Sequence, residues 1–464
     1  MRRTAVQSAV LASLALVLPA SALLAQGFTV YEHESCTMGR AGTGVASPCN
    51  SASAIFVNPA GMVNPAGPRW SLSVGTTIIS PRFTFQSDFT GVATDAVANN
   101  IPVPNAYIAL QVPTHIPIAV GVGMFAPYGL RSEWPTTFEG RFLAYLSDLR
   151  GLYVQPTIAA RLRPWLQIGV GLDWVYSSVD LKQHVDLSSQ VLPSASVPPG
   201  TTFAALGVPL GTDFADAEAT GTAHSGAMHL GVLVTPVSWL SLGARYLTRT
   251  KADIEGAATF SQLSTGILLP AGNPLGVPGG TPLDSVLAPN FKTALAPQHA
   301  SVDIPYPAQL IVGVTVRPLT NLQVLFDVQR TWYSAFSTLT LTFANAGTRT
   351  QYEDYRNTTG YRFGAQYDVG RISVRGGWLH HSAAAPPQTV TPLLPEAERN
   401  EMTMGLGLPI GRRGHVDLAY QHIWQADRRG RTIDVPRGPA SSALNNGLYT
   451  ATANLFAASL SWGF

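Results

Sequence analysis

The last ten residues, LFAASLSWGF, alternate with period two and stop on an aromatic carboxy-terminal residue. Phe456, Ala458, Leu460, Trp462 and Phe464 face one way, and Leu455, Ala457, Ser459, Ser461 and Gly463 the other. Apolar groups on one face with small or polar groups opposite is the pattern of a strand between lipid and a filled lumen. The same alternation returns throughout the chain from Arg69 onward. Charged residues are only 12% of the 464-residue chain, about half of the roughly 25% usual in soluble domains. After the first thirty residues no window reaches the ~18 uninterrupted apolar positions of a membrane helix. A chain this poor in charge and without such helices has one way to span a bilayer, a closed β-barrel whose strands satisfy all their backbone groups. The formal charge of +2 comes without a basic run, which excludes nucleic acid as an expected partner.

Fourteen alternating runs are expected, near 69–87, 103–113, 117–128, 151–163, 166–187, 220–235, 238–262, 304–317, 321–344, 355–368, 371–382, 397–409, 415–432 and 449–464. The even number suits a single-chain barrel. Three proline-containing reversals (161–167, 234–240 and 316–322) and two glycine-containing ones (368–371 and 411–414) read as short periplasmic turns. Between them lie long polar or Pro/Gly-rich segments near 188–219, 264–302 and 433–446, suited to extracellular loops. Trp70, Trp165, Trp239 and Trp332 fall near strand ends, where aromatic girdles belong.

Before the first strand the chain reads as a leader followed by a plug. Arg2 and Arg3, an apolar core from Ala9 to Leu18, Pro19 and small residues up to a cleavage point after Ala25 form an export signal. In an exported chain, an isolated pair of cysteines, Cys36 and Cys49, is expected to form a disulfide, worth ~3 kcal/mol to the loop it closes. The stretch SASAIFVNPAGM (51–62) is an apolar run stopped by proline. Asn58 suits the cap of a short helix and Pro59 its first position, with Ala60 and Gly61 following. Ile55, Phe56 and Val57 offer apolar anchorage. The expected organisation is therefore a signal peptide over 1–25, a plug over 26–68 and a transmembrane barrel over 69–464.

The third strand carries Gly121, Gly123, Pro127 and Gly129, a density of strand-weakening residues that predicts a bulge or kink. The connection after it holds Leu130, Trp134, Phe138, Phe142, Leu143 and Tyr145, an aromatic load that reads either as an exposed apolar capture surface or as a loop packed against its neighbours. Residues 138, 142 and 145 have helical spacing, with Pro135 placed to start a helix. Alternation puts Arg161, Arg245, Arg249, Lys251 and Arg375 on the lumen side. Each is a candidate partner for a carboxylate head group, or for a wall or plug carboxylate such as Asp327.

These residues carry a resemblance. Met38-Gly39-Arg40-Ala41-Gly42-Thr43-Gly44, the run from Ser53 to Met62, GVGMFAPYGLRSEWP (121–135) and GRFLA (140–144) resemble the FadL/TodX outer-membrane transporters of long-chain fatty acids and other hydrophobic compounds. Gly169-Val170-Gly171-Leu172, DYRNTTGYRFGAQY (354–367) and Tyr420-Gln421-His422 extend the match over the mature chain. The resemblance implies an all-β protein, a fourteen-stranded antiparallel barrel in the outer membrane, blocked by an N-terminal hatch. It implies capture of hydrophobic ligands such as fatty acids in a groove near Phe125 and the aromatic loop. Passage is then gated around Phe56, Asn58, Pro59 and Ala60, with lateral release into outer-membrane lipid at the strand-three kink. No cofactor, metal or energy source enters that scheme. The terminal Phe464 resembles the signal read by the barrel assembly machinery, and a monomer is expected.

Two other readings compete. A general diffusion porin or structural barrel would have an open polar lumen. A lipid hydrolase would use His380 and Ser382, which share a strand face at His-x-Ser spacing, though no orienting partner is evident. His184, His224 and His422 are scattered and show no metal-ligand spacing. Gly39 to Gly44 lacks the preceding strand of a phosphate loop. No catalytic residue is therefore expected.

Overall fold

The computed structural model describes residues 27–192, 196–434 and 438–464, so the expected signal peptide lies outside the described residues. The alternating runs form fourteen antiparallel strands in a closed barrel. These are β1 (Trp70–Ser87), β2 (Ile101–Val112), β3 (Ile118–Glu133), β4 (Leu146–Arg163) and β5 (Leu166–Asp186). Next come β6 (Asp213–Val237), β7 (Leu240–Leu247, resuming as Thr250–Gln262) and β8 (Gln298–Tyr306, resuming as Gln309–Leu319). Then follow β9 (Leu322–Thr331, resuming as Thr338–Phe343), β10 (Gly347–Tyr352, resuming as Thr358–Val369) and β11 (Ile372–His381). The last are β12 (Arg399–Ile410), β13 (Gly414–Gln425, with Arg428–Gly430) and β14 (Gly447–Gly463). Closure is complete, because β14 pairs back onto β1 from Ser71↔Gly463 to Ser87↔Gly447. The terminal residue joins this ladder, with Phe464 N donating to Trp70 O at 2.9 Å.

Short turns gather at the end that holds both Trp70 and Phe464, and Gly370 and Gly411 supply the left-handed φ that two of them need. Long connections gather at the opposite end. Crossing a bilayer takes ~9–11 residues of strand; β6, at 25 residues, therefore rises well beyond the membrane on the long-loop side. The outward face is an apolar belt that includes Leu242, Val312, Val374, Phe456 and Leu460, all exposed. Tyr420 packs on Phe456 with ring centroids 5.0 Å apart, and Tyr246 on Trp332 at 6.0 Å, in positions suited to girdles.

Several expected boundaries shift. β4 begins at Leu146, not near 151, and β9 is interrupted by a 3₁₀ turn, Tyr333–Ala335. β7 has a break at Thr248-Arg249, where Thr248 Oγ1 accepts from Met228 N at 2.9 Å. Beyond that break Thr250, Ala252 and Ile254 face inward. A one-residue slip exchanges the two faces of a strand. Arg249 and Lys251, expected in the lumen, are consequently exposed. Lys251 instead pairs with Asp253 and Asp303, each at 2.7 Å.

Candidate functional site

The lumen is filled by the chain before β1. Its elements are a one-turn helix α1 (Ser35–Met38), a second, α2 (Ala54–Val57), and a 3₁₀ turn, Pro59–Met62. Cys36 and Cys49 form a disulfide, so the loop after α1 is tied back onto it. Glu34 caps α1 by accepting from Thr37 N at 2.9 Å. Asn58, in an extended conformation, accepts from Ala60 N and caps the 3₁₀ turn with Pro59 in its first turn.

Helices of four residues do not stand alone in water; wall contacts hold these. Asn58 Nδ2 donates to Val45 O at 2.6 Å and to Val232 O of β6 at 3.0 Å. Asp327 of β9 accepts from Gly44 N and Val45 N at 2.9 and 3.1 Å. Arg245 of β7 donates to Phe56 O at 2.6 Å and lies 4.6 Å from the centre of the Phe56 ring. Ala41 N reaches Thr403 of β12, and Thr77 of β1 reaches Glu32 O. Losing the Asn58 side chain removes the cap and two ties. An Asn58→Ala variant is therefore expected to cost the closed lumen about 1–2 kcal/mol, seen as weakened ligand retention with normal amounts of folded barrel. Equal loss of folded barrel would make Asn58 structural instead.

The wall is shaped to the segment by missing side chains. A Cβ at Gly169 of β5 would meet Pro59, at Gly231 of β6 Asn58, and at Gly243 of β7 Val45. At Gly364 of β10 it would meet Arg40, and at Gly377 of β11 Ala41. Gly121 and Gly123 belong to the same set, since a Cβ there would lie 2.9 and 2.8 Å from Ile55. These two glycines therefore seat α2 against β3, which differs from the kink role expected of them.

Burial sets the electrostatics of the plug. His33 is held neutral, its pKa pushed down to about 3 by burial among Phe56 and Phe125. Burial raises the carboxyls of Glu32 and Glu34. Arg245, Arg362 and Asp327 line one water-sized cavity of about 10 Å³ against Tyr31 and Phe56. Arg375 is engaged by Asp417 at 2.5 Å, and Arg161 sits at the turn end, donating to Pro164 O. Of the five cations weighed as partners for a ligand or for a wall or plug carboxylate, Arg245 is bonded to the hatch and Arg375 to a wall carboxylate.

β3 does break its ladder. Its pairing with β4 slips between Phe125 and Tyr128, leaving Ala126-Pro127 as a bulge. Its pairing with β2 stops at Ala106↔Met124, although β3 runs on to Glu133. Past the break β3 pairs with the N-terminal segment, where Val30 N donates to Pro127 O at 2.9 Å and Gly129 N to Phe28 O at 3.1 Å. A Cβ at Gly129 would find ordinary contacts, 3.6 Å at closest.

The aromatic loop is packed rather than exposed. Trp134 and Phe138 are buried and stacked at 4.6 Å, and Phe138 meets Phe85 edge-on at 5.2 Å. The expected helix is a single 3₁₀ turn, Glu139–Phe142, because Trp134 N bonds Tyr145 O at 2.7 Å and closes the loop too tightly for more. Phe125, at 0% exposure, lies between Tyr107 and Tyr153 in a stacked row. Leu143 lines two neighbouring cavities. One, of about 230 Å³, has a polar rim with Arg356, Gln388 and Thr391. The other, of about 40 Å³, is walled by Leu181, Ala219, Phe260, Leu339 and Leu341. Gln351 lines both cavities, with Arg349 beside it in the apolar one. Arg349 was missed in the sequence because it stands in a polar threonine-rich run beyond the membrane part of its strand. His380 and Ser382 serve separate partners, Asn400 and Thr359 N.

A family model described as outer membrane protein transport protein (OMPP1/FadL/TodX) matches residues 16–464. The chain is 23% identical over 450 residues to a 47 kDa outer membrane protein of Pasteurella multocida, covering 97% of this chain and 99% of that one. It is 23% identical over 435 residues to a long-chain fatty acid transport protein of Escherichia coli, covering 90% of each. Its fold matches a FadL homologue of Pseudomonas aeruginosa with a TM-score of 0.78 at 18% identity, over 95% of this chain and 100% of that one. The toluene transporter TodX of Pseudomonas putida matches with a TM-score of 0.68 at 17% identity, over 94% and 99%. With the model matched across barrel and N-terminal segment alike, the chain belongs to the OMPP1/FadL/TodX family of outer-membrane transport proteins.

Proposed function

We propose that this chain conducts long-chain fatty acids or other hydrophobic molecules passively across the outer membrane, releasing them sideways between β2 and β3. The observation that carries this reading is the end of β2–β3 pairing at Ala106↔Met124, at a bulge. A greasy solute gains free energy on entering lipid and nothing on entering water, so a side exit serves it where an axial pore would not. Capture takes place among the extracellular loops, beside the cavity lined by Leu143 and Arg356. The path continues down the apolar cavity lined by Leu181, Ala219 and Leu341. Phe56, Asn58, Pro59 and Ala60 act as the hatch that holds it shut below. Arg349, which lines the apolar cavity and donates to Phe142 O at 3.3 Å, is the better-placed partner for a carboxylate head group, since Arg245 is turned to the hatch and Arg375 to Asp417. The chain works as a monomer, and the exposed ring of Phe464 at the periplasmic end is offered to the assembly machinery.

The test is uptake of radiolabelled oleate and of radiolabelled toluene by a strain lacking its own transporters and carrying this gene. Uptake of either above the empty strain is expected. Arg349→Ala is expected to reduce oleate uptake about ten-fold through the lost charged hydrogen bond, and to spare toluene. No uptake of either compound, together with strong single-channel ion conductance, would falsify the transporter reading in favour of a porin.

A further inference from the structure

The break between β2 and β3 creates two free strand edges at the height of the lipid belt. Exposed edges are costly in a membrane, because each backbone N–H without a partner loses several kcal/mol of hydrogen bonding. The edge of β3 is covered by Phe28 to Val30. What covers the edge of β2 follows from its register.

Gln111 N donates to Arg69 O at 2.8 Å, and the pairing of β2 with β1 runs without slip from Trp70↔Leu110 to Ile79↔Ile101. In an antiparallel ladder, residues alternate in the side to which they turn both backbone groups. Odd-numbered residues of β2 therefore turn theirs to β1 and even-numbered ones to β3. Arg161 N donating to Pro117 O gives the matching phase on the far side of β3. Above Ala106, the even positions that face the gap are 104 and 102, and both are proline. The free edge of β2 thus has no N–H to lose in this stretch, only carbonyl acceptors. Both prolines are exposed on the outer face. Ile78, opposite Pro102, is also opposite the exposed belt residue Phe456, so the edge lies within the lipid-facing zone.

We infer that Pro102 and Pro104 are positioning residues that hold this window open: they prevent β2 from zipping onto β3 above Met124, and leave an edge without donors. Any other residue at these positions would turn a backbone N–H toward the gap, in competition with Val30 N for the carbonyls of the β3 edge such as Pro127 O. Proline removes both donors, so the N-terminal segment meets no rival for the β3 edge. The donor-free rim also suits the passage of alkyl or aromatic matter, which has no acceptor to leave behind. The inference rests on the lateral-release reading.

Two variants of the full chain, assembled in outer membranes, test it. In Pro102→Val/Pro104→Val the two ladder donors return, and an about ten-fold shift toward the paired edge is expected. Oleate uptake should fall to match, and hydrogen–deuterium exchange should slow over residues 101–106 and 125–132. If that variant assembles poorly, Pro104→Ala alone restores one donor and should give a smaller change of the same sign. In Pro104→Cys/Ala126→Cys, which continues the Ala106↔Met124 register, oxidation should staple the window and abolish uptake, and reductant should restore it. Wild-type exchange and uptake in the valine variant, beside a stapled barrel that is blocked, overturns the role of the prolines and leaves lateral release standing. A stapled barrel that still takes up oleate overturns lateral release itself. The exchange data then decide the prolines alone, slowed exchange supporting them as guards of the edge and unchanged exchange overturning them.

Discussion

An Asp327→Ala barrel is expected to assemble in normal amounts and to leak, conducting small ions more readily than the parent. Asp327 is buried on the inner face of β9 and accepts from two successive hatch amides, Gly44 N and Val45 N. Removing the carboxylate leaves two buried donors without their partner, at about 1–3 kcal/mol each. It also strips the nearby Arg40 and Arg362 of a compensating negative charge, and breaking such a buried arrangement costs about 3–5 kcal/mol. The barrel wall loses nothing comparable, because β9 keeps its ladder to both neighbours. The penalty falls on the closed position of the hatch. Single-channel conductance in planar bilayers and sensitivity of cells to bulky hydrophilic antibiotics report it directly. Asp327→Asn, which keeps one acceptor, should fall between. Parental conductance in Asp327→Ala would show that the hatch is held elsewhere.

The second large effect is expected from adding atoms. Gly231→Val places a Cβ on Asn58 Oδ1 and 2.9 Å from Ala60 N. Since the wall ladder on both sides of Gly231 is regular, the four-residue 3₁₀ turn has to yield. Overpacking of this kind costs about 1–3 kcal/mol, and here it acts against the Asn58–Val232 tie as well. A leak like that of Asp327→Ala is expected, with folded barrel retained. Gly226→Ala on the same strand is the control, because its Cβ would meet only Asp173 O, at 3.7 Å. If both variants behave alike, the fit of glycine to hatch is not what closes the lumen.

Much of the barrel was legible because its signal is local. Each of the fourteen alternating runs corresponds to a strand, and Phe456 and Leu460 face outward while Leu455 and Ala457 face inward. The cap on the 3₁₀ turn at Asn58 is likewise written in neighbouring residues. The errors arose where one residue changes the phase. Lys251 follows Arg245 at an even spacing, yet the break at Thr248-Arg249 turns it to the outside. The aromatic loop could not be placed from the sequence for a different reason. Trp134 and Phe138 count as exposed only until Phe85 and Pro392 are seen to cover them.

The glycines show the same division. Gly121 and Gly123 were assigned to strand weakening, but their neighbour is Ile55, more than sixty positions earlier in the chain. Pro104 was passed over inside an ordinary strand and Pro102 just before its expected start, since proline in a strand has meaning only once the strand is known to have a free edge. Low charge and period-two alternation by themselves determined a membrane barrel, because hydrogen-bond closure leaves no other apolar solution. Which glycines seat the hatch, which cations are already spoken for, and where the wall parts were decided only by tertiary structure. These are contacts between residues far apart in the chain, and a strand's alternation says which face a side chain takes but not what waits there.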